Sequence, residues 1–297
     1  MKNDGLRGEE LCFFNSCSSH YFSLFTFHFS LKCRIFAVVM STVIYDSPVF
    51  GPIHSRRLGI SLGINLLPKG GKMCSFDCIY CECGLNKERR TKNPLPTADE
   101  VVAGLQSKLL SMKQEGIVPD VLTFAGNGEP TLHPHFPEIV DRVREVRDKE
   151  CPSAKMSILS NATQIRRPEI REALLHFDNN ILKLDTVNPI YINNVDRPQV
   201  HYDVEEQIAC LALFRGKCII QTMLMRGEYK GFSLDNTTEA YVIPYLDALK
   251  RIKPRSVMLY TLDRETPVKG LEKAPPEAME AIAERIRELG IETSVSY

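Results

Sequence analysis

From Gly59 onward the chain alternates between two hydrophobic rhythms. Short, nearly continuous apolar runs at 59–68, 120–126, 155–161, 180–186, 217–225, 256–263 and 291–296 predict strands. Between them, at 97–116, 135–149, 167–177, 203–216, 237–252 and 275–290, apolar residues recur every three or four positions and predict amphipathic helices. Thr97 and Glu100 form a capping box at the head of the first helix, and Gly116 can stop it. Pro244 falls inside the fifth helix, where a kink is expected, and the sixth carries proline in its first turn. Strands this apolar are buried on both faces, as parallel strands covered by helices are. The pattern of roughly six βα units predicts an α/β fold, a partial (βα)6 TIM-like barrel, with an open doubly wound sheet as the alternative. In both, ligands meet the C-terminal ends of the strands. The segments there are 72–84, "GNGEPTLHP", "SNAT", "DTVNP", "MRGEY" and "TLDRETP".

The first 39 residues break this rhythm. Cys12 to Leu31 has no charged residue and many aromatics, which suits a signal-like or membrane segment. Ser, Asn, Thr and two His interrupt it, Glu9 and Glu10 precede it, and no small-residue cleavage site is evident. Ordinary composition resumes at Met40. The expectation is an extension without a folded role at 1–39, one folded domain at 40–297, and no membrane partner. Across all 297 residues, Lys+Arg and Asp+Glu balance at 37 each, so bulk charge gives no argument for nucleic acid or membrane.

Ten cysteines are too sparse for a disulfide scaffold, yet four crowd into "KMCSFDCIYCECG", Lys72 to Gly84. Cys74, Cys78 and Cys81 are spaced C-x3-C-x2-C. Soft thiolates in that pattern suit zinc, an electron-transfer cluster, or a [4Fe–4S] cube with three irons held and the fourth open. A structural zinc closes four ligands, and only one C-x2-C pair is present. Cys83 reads as a loop thiol outside the ligand set. Cys151, Cys210 and Cys218 read as core.

"CSFDCIYC" resembles the cysteine signature of the radical S-adenosylmethionine (SAM) superfamily, with Tyr80 as the aromatic before the last cysteine. Three further segments follow successive predicted strands in the superfamily's order. "GNGEP" (Gly126, Asn127, Gly128, Glu129) resembles the glycine-rich segment that receives the methionyl ammonium of SAM, though it reads GNGE rather than GGE. Ser160 and Asn161 of "SNAT" stand where the ribose or methionyl carboxylate is bound. Lys183 and Asp185 of "KLD" stand where polar SAM contacts are common. "PVFGPIHSRRLGISLG" (48–63) and "YTLDRETP" (260–267) resemble the group of Fe–S oxidoreductases related to wyosine-tRNA synthetases.

The resemblance implies a [4Fe–4S] cluster on Cys74, Cys78 and Cys81, and SAM chelated to its open iron. It further implies reductive cleavage of SAM to methionine and a 5′-deoxyadenosyl radical, which takes hydrogen from a substrate. No flavodoxin-like segment lies in this chain, so the resemblance implies a separate donor of flavodoxin or ferredoxin type. An oxygen-sensitive cluster implies the cytoplasm. The substrate stays open, RNA included. The reading from another class is a zinc- or Fe–S-binding RNA module without radical chemistry. Secondary candidates are Arg56 and Arg57, the basic run Lys87, Arg89, Arg90 and Lys92, then Gln221, Tyr260 and Arg264. His133 and His135 read as loop residues.

Overall fold

The computed structural model describes residues 43–55 and 59–297. The expectations placed on residues 1–39, and on Arg56 and Arg57, lie outside the described residues. Six strands open the order: β1 (Val49–Ser55), β2 (Gly59–Ile64), β3 (Val121–Phe124), β4 (Lys155–Ser160), β5 (Asn179–Lys183) and β6 (Ile219–Met223). After them come β7 (Met225–Tyr229), β8 (Phe232–Ser233), β9 (Ser256–Tyr260), β10 (Leu271–Lys273) and β11 (Glu292–Ser296). The main helices are α1 (Ala98–Gln114), α2 (Phe136–Glu150), α3 (Pro168–Leu174), α4 (Val204–Ala212), α5 (Glu239–Ile252) and α6 (Pro276–Arg287).

The large sheet runs β1-β2-β3-β4-β5-β6-β9-β11. Every pair from β2 to β11 is parallel, and β1 alone is antiparallel, on β2. Each of the helices α1 to α6 returns the chain to the next parallel strand, so the six predicted βα units are present in order. Side chains alternate across the strands. Leu62, Leu122, Ile158, Leu182, Ile220 and Val257 join the core shared with the helices. The intervening Ser61, Gly63, Thr123, Leu159, Ile181, Gln221 and Met258 line one cavity. A flat sheet cannot bring six strands around one cavity, so the sheet curls into a partial barrel.

α1 begins as its capping box requires. Thr97 Oγ1 accepts from the Glu100 amide at 3.2 Å, and the Glu100 carboxylate accepts from the Thr97 amide at 2.7 Å. α5 continues through Pro244 to Ile252. Two features depart from the expected elements. "VFGPIHS" is a strand, β1, which closes onto the β2 edge. "MRGEY" is not a loop but β7, the centre of a small sheet of order β10-β7-β8. Its residues alternate as a strand's should, but it follows β6 after a single residue and merges with it in the sequence. Among the described residues no helix is long and apolar enough to cross a membrane.

Candidate functional site

The cysteine loop follows β2 and is stapled in place by backbone and side-chain bonds. The Met73 amide donates to Asn127 O at 2.9 Å, and the Glu129 amide donates to Met73 O at 3.0 Å. Asp77 N donates to Asp196 O at 3.0 Å and Ile79 N to Val195 O at 2.9 Å, tying the loop to the π-helical turn Ile192–Asp196. Asn86 donates its side-chain amide to Cys74 O and Phe76 O, and its backbone amide to the Asp77 carboxylate. Buried Lys72 donates to Gly84 O at 2.7 Å. Ile79 and Tyr80 pack with Tyr191, Val195, Met223 and Met225 in a second apolar cluster, which joins the loop to the small sheet.

All four thiols are free and half-buried. Burial pushes the Cys74 thiol up to about 12 and raises Cys78 as well. Cys81 is drawn down to about 6, first by its hydrogen bond with Cys83, with the Lys72 ammonium adding to the effect. Cys83 is raised by the same bond and by burial, and its sulfur lies 3.2 Å from Gly126 O. Among the described residues no three His, Cys, Asp or Glu side chains converge tightly enough to hold one metal ion. A four-iron cube places its cysteine sulfurs on separate irons and needs them further apart. Thiolates on such a group need nearby cations, and Lys72 and Lys183 stand beside them. The donor set fits the cluster.

Gly126, Asn127, Gly128 and Glu129 follow β3. The backbone of Gly128 bridges Met73, and a Cβ there would collide with the Met73 carbonyl. This glycine thus serves the fit between the segment and the cysteine loop. Asn127 is buried with its side chain committed: it accepts from Tyr45 N at 2.8 Å and donates to Tyr45 O at 2.8 Å and Pro68 O at 2.9 Å. The asparagine that departs from a plain GGE pattern therefore pins the N-terminal segment. Glu129, 1% exposed, accepts from Thr131 N, Thr131 Oγ1, Ser160 Oγ and Asn161 N. Its carboxylate orders the loop after β4. Asn161 Nδ2 in turn lies 3.0 Å from Ser75 Oγ and 3.5 Å from Cys74 Sγ.

Lys183 and Asp185, at the end of β5, are drawn into a buried charged cluster. Lys183 donates to the Tyr80 hydroxyl and to Asp185, and reaches Asp196 at 2.9 Å. The Tyr80 hydroxyl donates to Asp185. Cys78 Sγ lies 3.8 Å from Asp196. Burial alone would lower Lys183, but Asp185 and Asp196 outweigh it and hold the ammonium well above its ordinary value. Asp196 escapes the sequence because no motif surrounds it; only the π-helical turn brings it under the cysteines. Lys72 and Asn86 flank the signature, and a lysine two residues before the first cysteine was the one readable signal.

The other candidates divide. Gln221 faces the cavity, and Tyr260 packs on the second apolar cluster. Arg264 pairs with Glu82 at 2.8 Å. Lys87, Arg90 and Lys92 are exposed, while Arg89 O accepts from Lys72 N. His133 is buried against Pro96 O, and His135 pairs with Glu138 at 3.3 Å. Cys151 and Cys218 are buried, and Cys210 is half-buried against the core.

This fold is shared with solved structures. The chain matches a radical SAM methyltransferase from Sphaerobacter thermophilus with TM-score 0.60 at 18% identity, over 80% of this chain and 66% of that one. It matches TYW1 with a lysine–pyruvate adduct bound with TM-score 0.54 at 13% identity, over 77% and 73%. Streptococcus suis SuiB bound to S-adenosylmethionine gives 0.53 at 17%, over 78% and 50%. The fold is thus that of radical SAM enzymes, as the motifs implied. No protein-family model matches the chain. In sequence it is 30% identical over 224 residues to a UPF0026 protein of Helicobacter pylori, covering 74% of this chain and 68% of that relative. The chain belongs to the UPF0026 family. A UPF0026 protein of Synechocystis is 31% identical over 229 residues, 74% of this chain and 77% of its own. Both matches span most of this UPF0026 protein, so the family covers the fold as a whole rather than one motif.

Proposed function

We propose that this UPF0026 protein is a radical SAM enzyme of oxidoreductase or transferase type, with residues 40–297 as its catalytic domain. The observation that carries the reading is the meeting of three segments. The Cys74–Cys83 loop, the Gly126–Glu129 segment and the Ser160–Asn161 turn bond to one another at the strand ends of a radical SAM fold. Bound there, a [4Fe–4S] cluster and S-adenosylmethionine supply one-electron reductive chemistry that ends in hydrogen abstraction from a substrate. Cys74, Cys78 and Cys81 would hold the cluster, and Cys83 stands outside that set. Gly126, Glu129, Ser160 and Asn161 form the rim on which the methionyl and ribose groups would lie. Lys72 and Lys183 offset thiolate charge in a poorly solvated loop. Tyr80, Asp185 and Asp196 hold Lys183 in place. Reduction would come from a separate carrier of flavodoxin or ferredoxin type, which suits a cytoplasmic protein.

The test is anaerobic reconstitution of the full chain with iron and sulfide, then dithionite and S-adenosylmethionine. A brown protein with about four irons per chain should release 5′-deoxyadenosine. Cys78→Ala should lose iron and product, and Cys83→Ala should keep both. A colourless, zinc-filled protein, or a cluster that never yields deoxyadenosine, would sink the proposal and favour an RNA-binding module.

A further inference from the structure

We infer that the lumen of the partial barrel binds an uncharged, flat, mainly apolar substrate group, walled on its open edge by an aromatic pair, Phe50 of β1 and Tyr45 just before that strand. This rests on the radical SAM reading, in which substrate reacts beside the cysteine loop, and it names the substrate's chemistry. The cavity measures ≈ 290 Å³ and is lined by Cys83 and Gly126 of the site as well as by lumen side chains. That volume is at the small end for ligand pockets, so it takes a ring or branched chain rather than a whole nucleotide.

Among the described residues the lining carries no Lys, Arg, His or Asp, and its one charge, Glu82, is exposed and paired with Arg264. A phosphate or carboxylate would enter without a counter-charge, and an ammonium would find Glu82 already engaged. Desolvating an unpaired charge is strongly unfavourable, so charged groups are rejected. Ser61 and Thr123 bond to each other at 2.8 Å. The Gln221 amide, with no side-chain hydrogen bond among the described residues, is left to orient a neutral polar group. The wall is preorganised. Phe50 pairs across the strands with Gly63, and its ring fills the space that a Cβ on Gly63 would take. Tyr45 stacks on Phe50 at 3.5 Å and 14°, and Asn127 fixes the Tyr45 backbone from both sides. Flat rings stack on such a face.

Three probes of one shape separate charge from size: benzamide, benzoate and benzylamine. Their binding to the reconstituted full chain is read by saturation-transfer NMR. Benzamide should bind at least about tenfold more tightly than either ion. Met258→Trp, which fills the lumen, should lower benzamide binding by about tenfold or more, and Gln221→Leu should weaken it. Leu159→Phe serves if Met258→Trp unfolds, and thermal midpoints identify a folded variant. Equal or tighter binding of an ion, no benzamide binding, or benzamide binding unchanged in a folded lumen-filling variant would overturn the inference. The two readings fail separately. Benzamide selectivity without deoxyadenosine sinks the radical reading alone, and deoxyadenosine with a lumen that prefers ions sinks this one alone.

Discussion

A methyl group on Gly128 would fall inside the contact distance of the Met73 carbonyl oxygen, and Gly128 has φ +129°, which side-chain-bearing residues avoid. The obstacle is backbone, which cannot swing aside. Gly128→Ala should therefore displace the cysteine loop while the distant sheet survives. The expected outcome is a folded protein by circular dichroism that retains less than about a tenth of the wild-type iron after reconstitution. Wild-type iron content in that variant would show that the bridge to Met73 is dispensable. At this scale the sequence was uneven. Cys74, Cys78 and Cys81 stand out by spacing alone, and the structure keeps all three thiols free in one loop. Asn127 was read beside the SAM site, but its side chain binds Tyr45 and Pro68. An amide serves ligand or backbone equally well, and only the position of Tyr45 decides which.

α1 was legible to within a residue or two because its start signal is local. Thr97→Ala removes the acceptor for the Glu100 amide, and such caps are worth about 1 kcal/mol. The urea midpoint should fall accordingly with an unchanged slope. No change would mean that packing of Val101, Leu105 and Leu109 alone carries the helix. β1 was not legible. "VFGPIHS" holds a proline and a glycine and directly follows another proline, which argues against a strand, and only an edge position tolerates this. β7 was hidden for another reason: one residue separates it from β6, and a change of sheet leaves no mark on hydrophobic alternation.

At the scale of the whole molecule, His133 is one group that couples stability to pH. Burial holds this imidazole below its usual value. Its Nε2 lies 2.9 Å from Pro96 O and must donate there, while Nδ1 accepts from the His135 amide at 3.1 Å, so the neutral ring is fully used. The unfolded chain takes up a proton that the folded chain resists. The stabilisation is complete above about pH 6.5 and is lost as pH falls through the lower folded value. The urea midpoint should fall less in His133→Gln than in wild type between about pH 7.5 and about pH 5.5. Identical falls would remove His133 from the acid response. The comparison is needed because other groups titrate in the same window; buried Asp196, raised to about 7, acts with the opposite sign.

The sequence by itself determined the α/β class, the order of six βα units and the three-thiol signature, because periodicity, caps and ligand spacing are properties of neighbouring residues. Tertiary structure alone decided that Asp196 underlies Cys78, that Asn127 pins Tyr45, and that Tyr45 and Phe50 stack beside the lumen. Those contacts join residues far apart in the chain, and no local pattern encodes which distant partner a curled sheet will bring near.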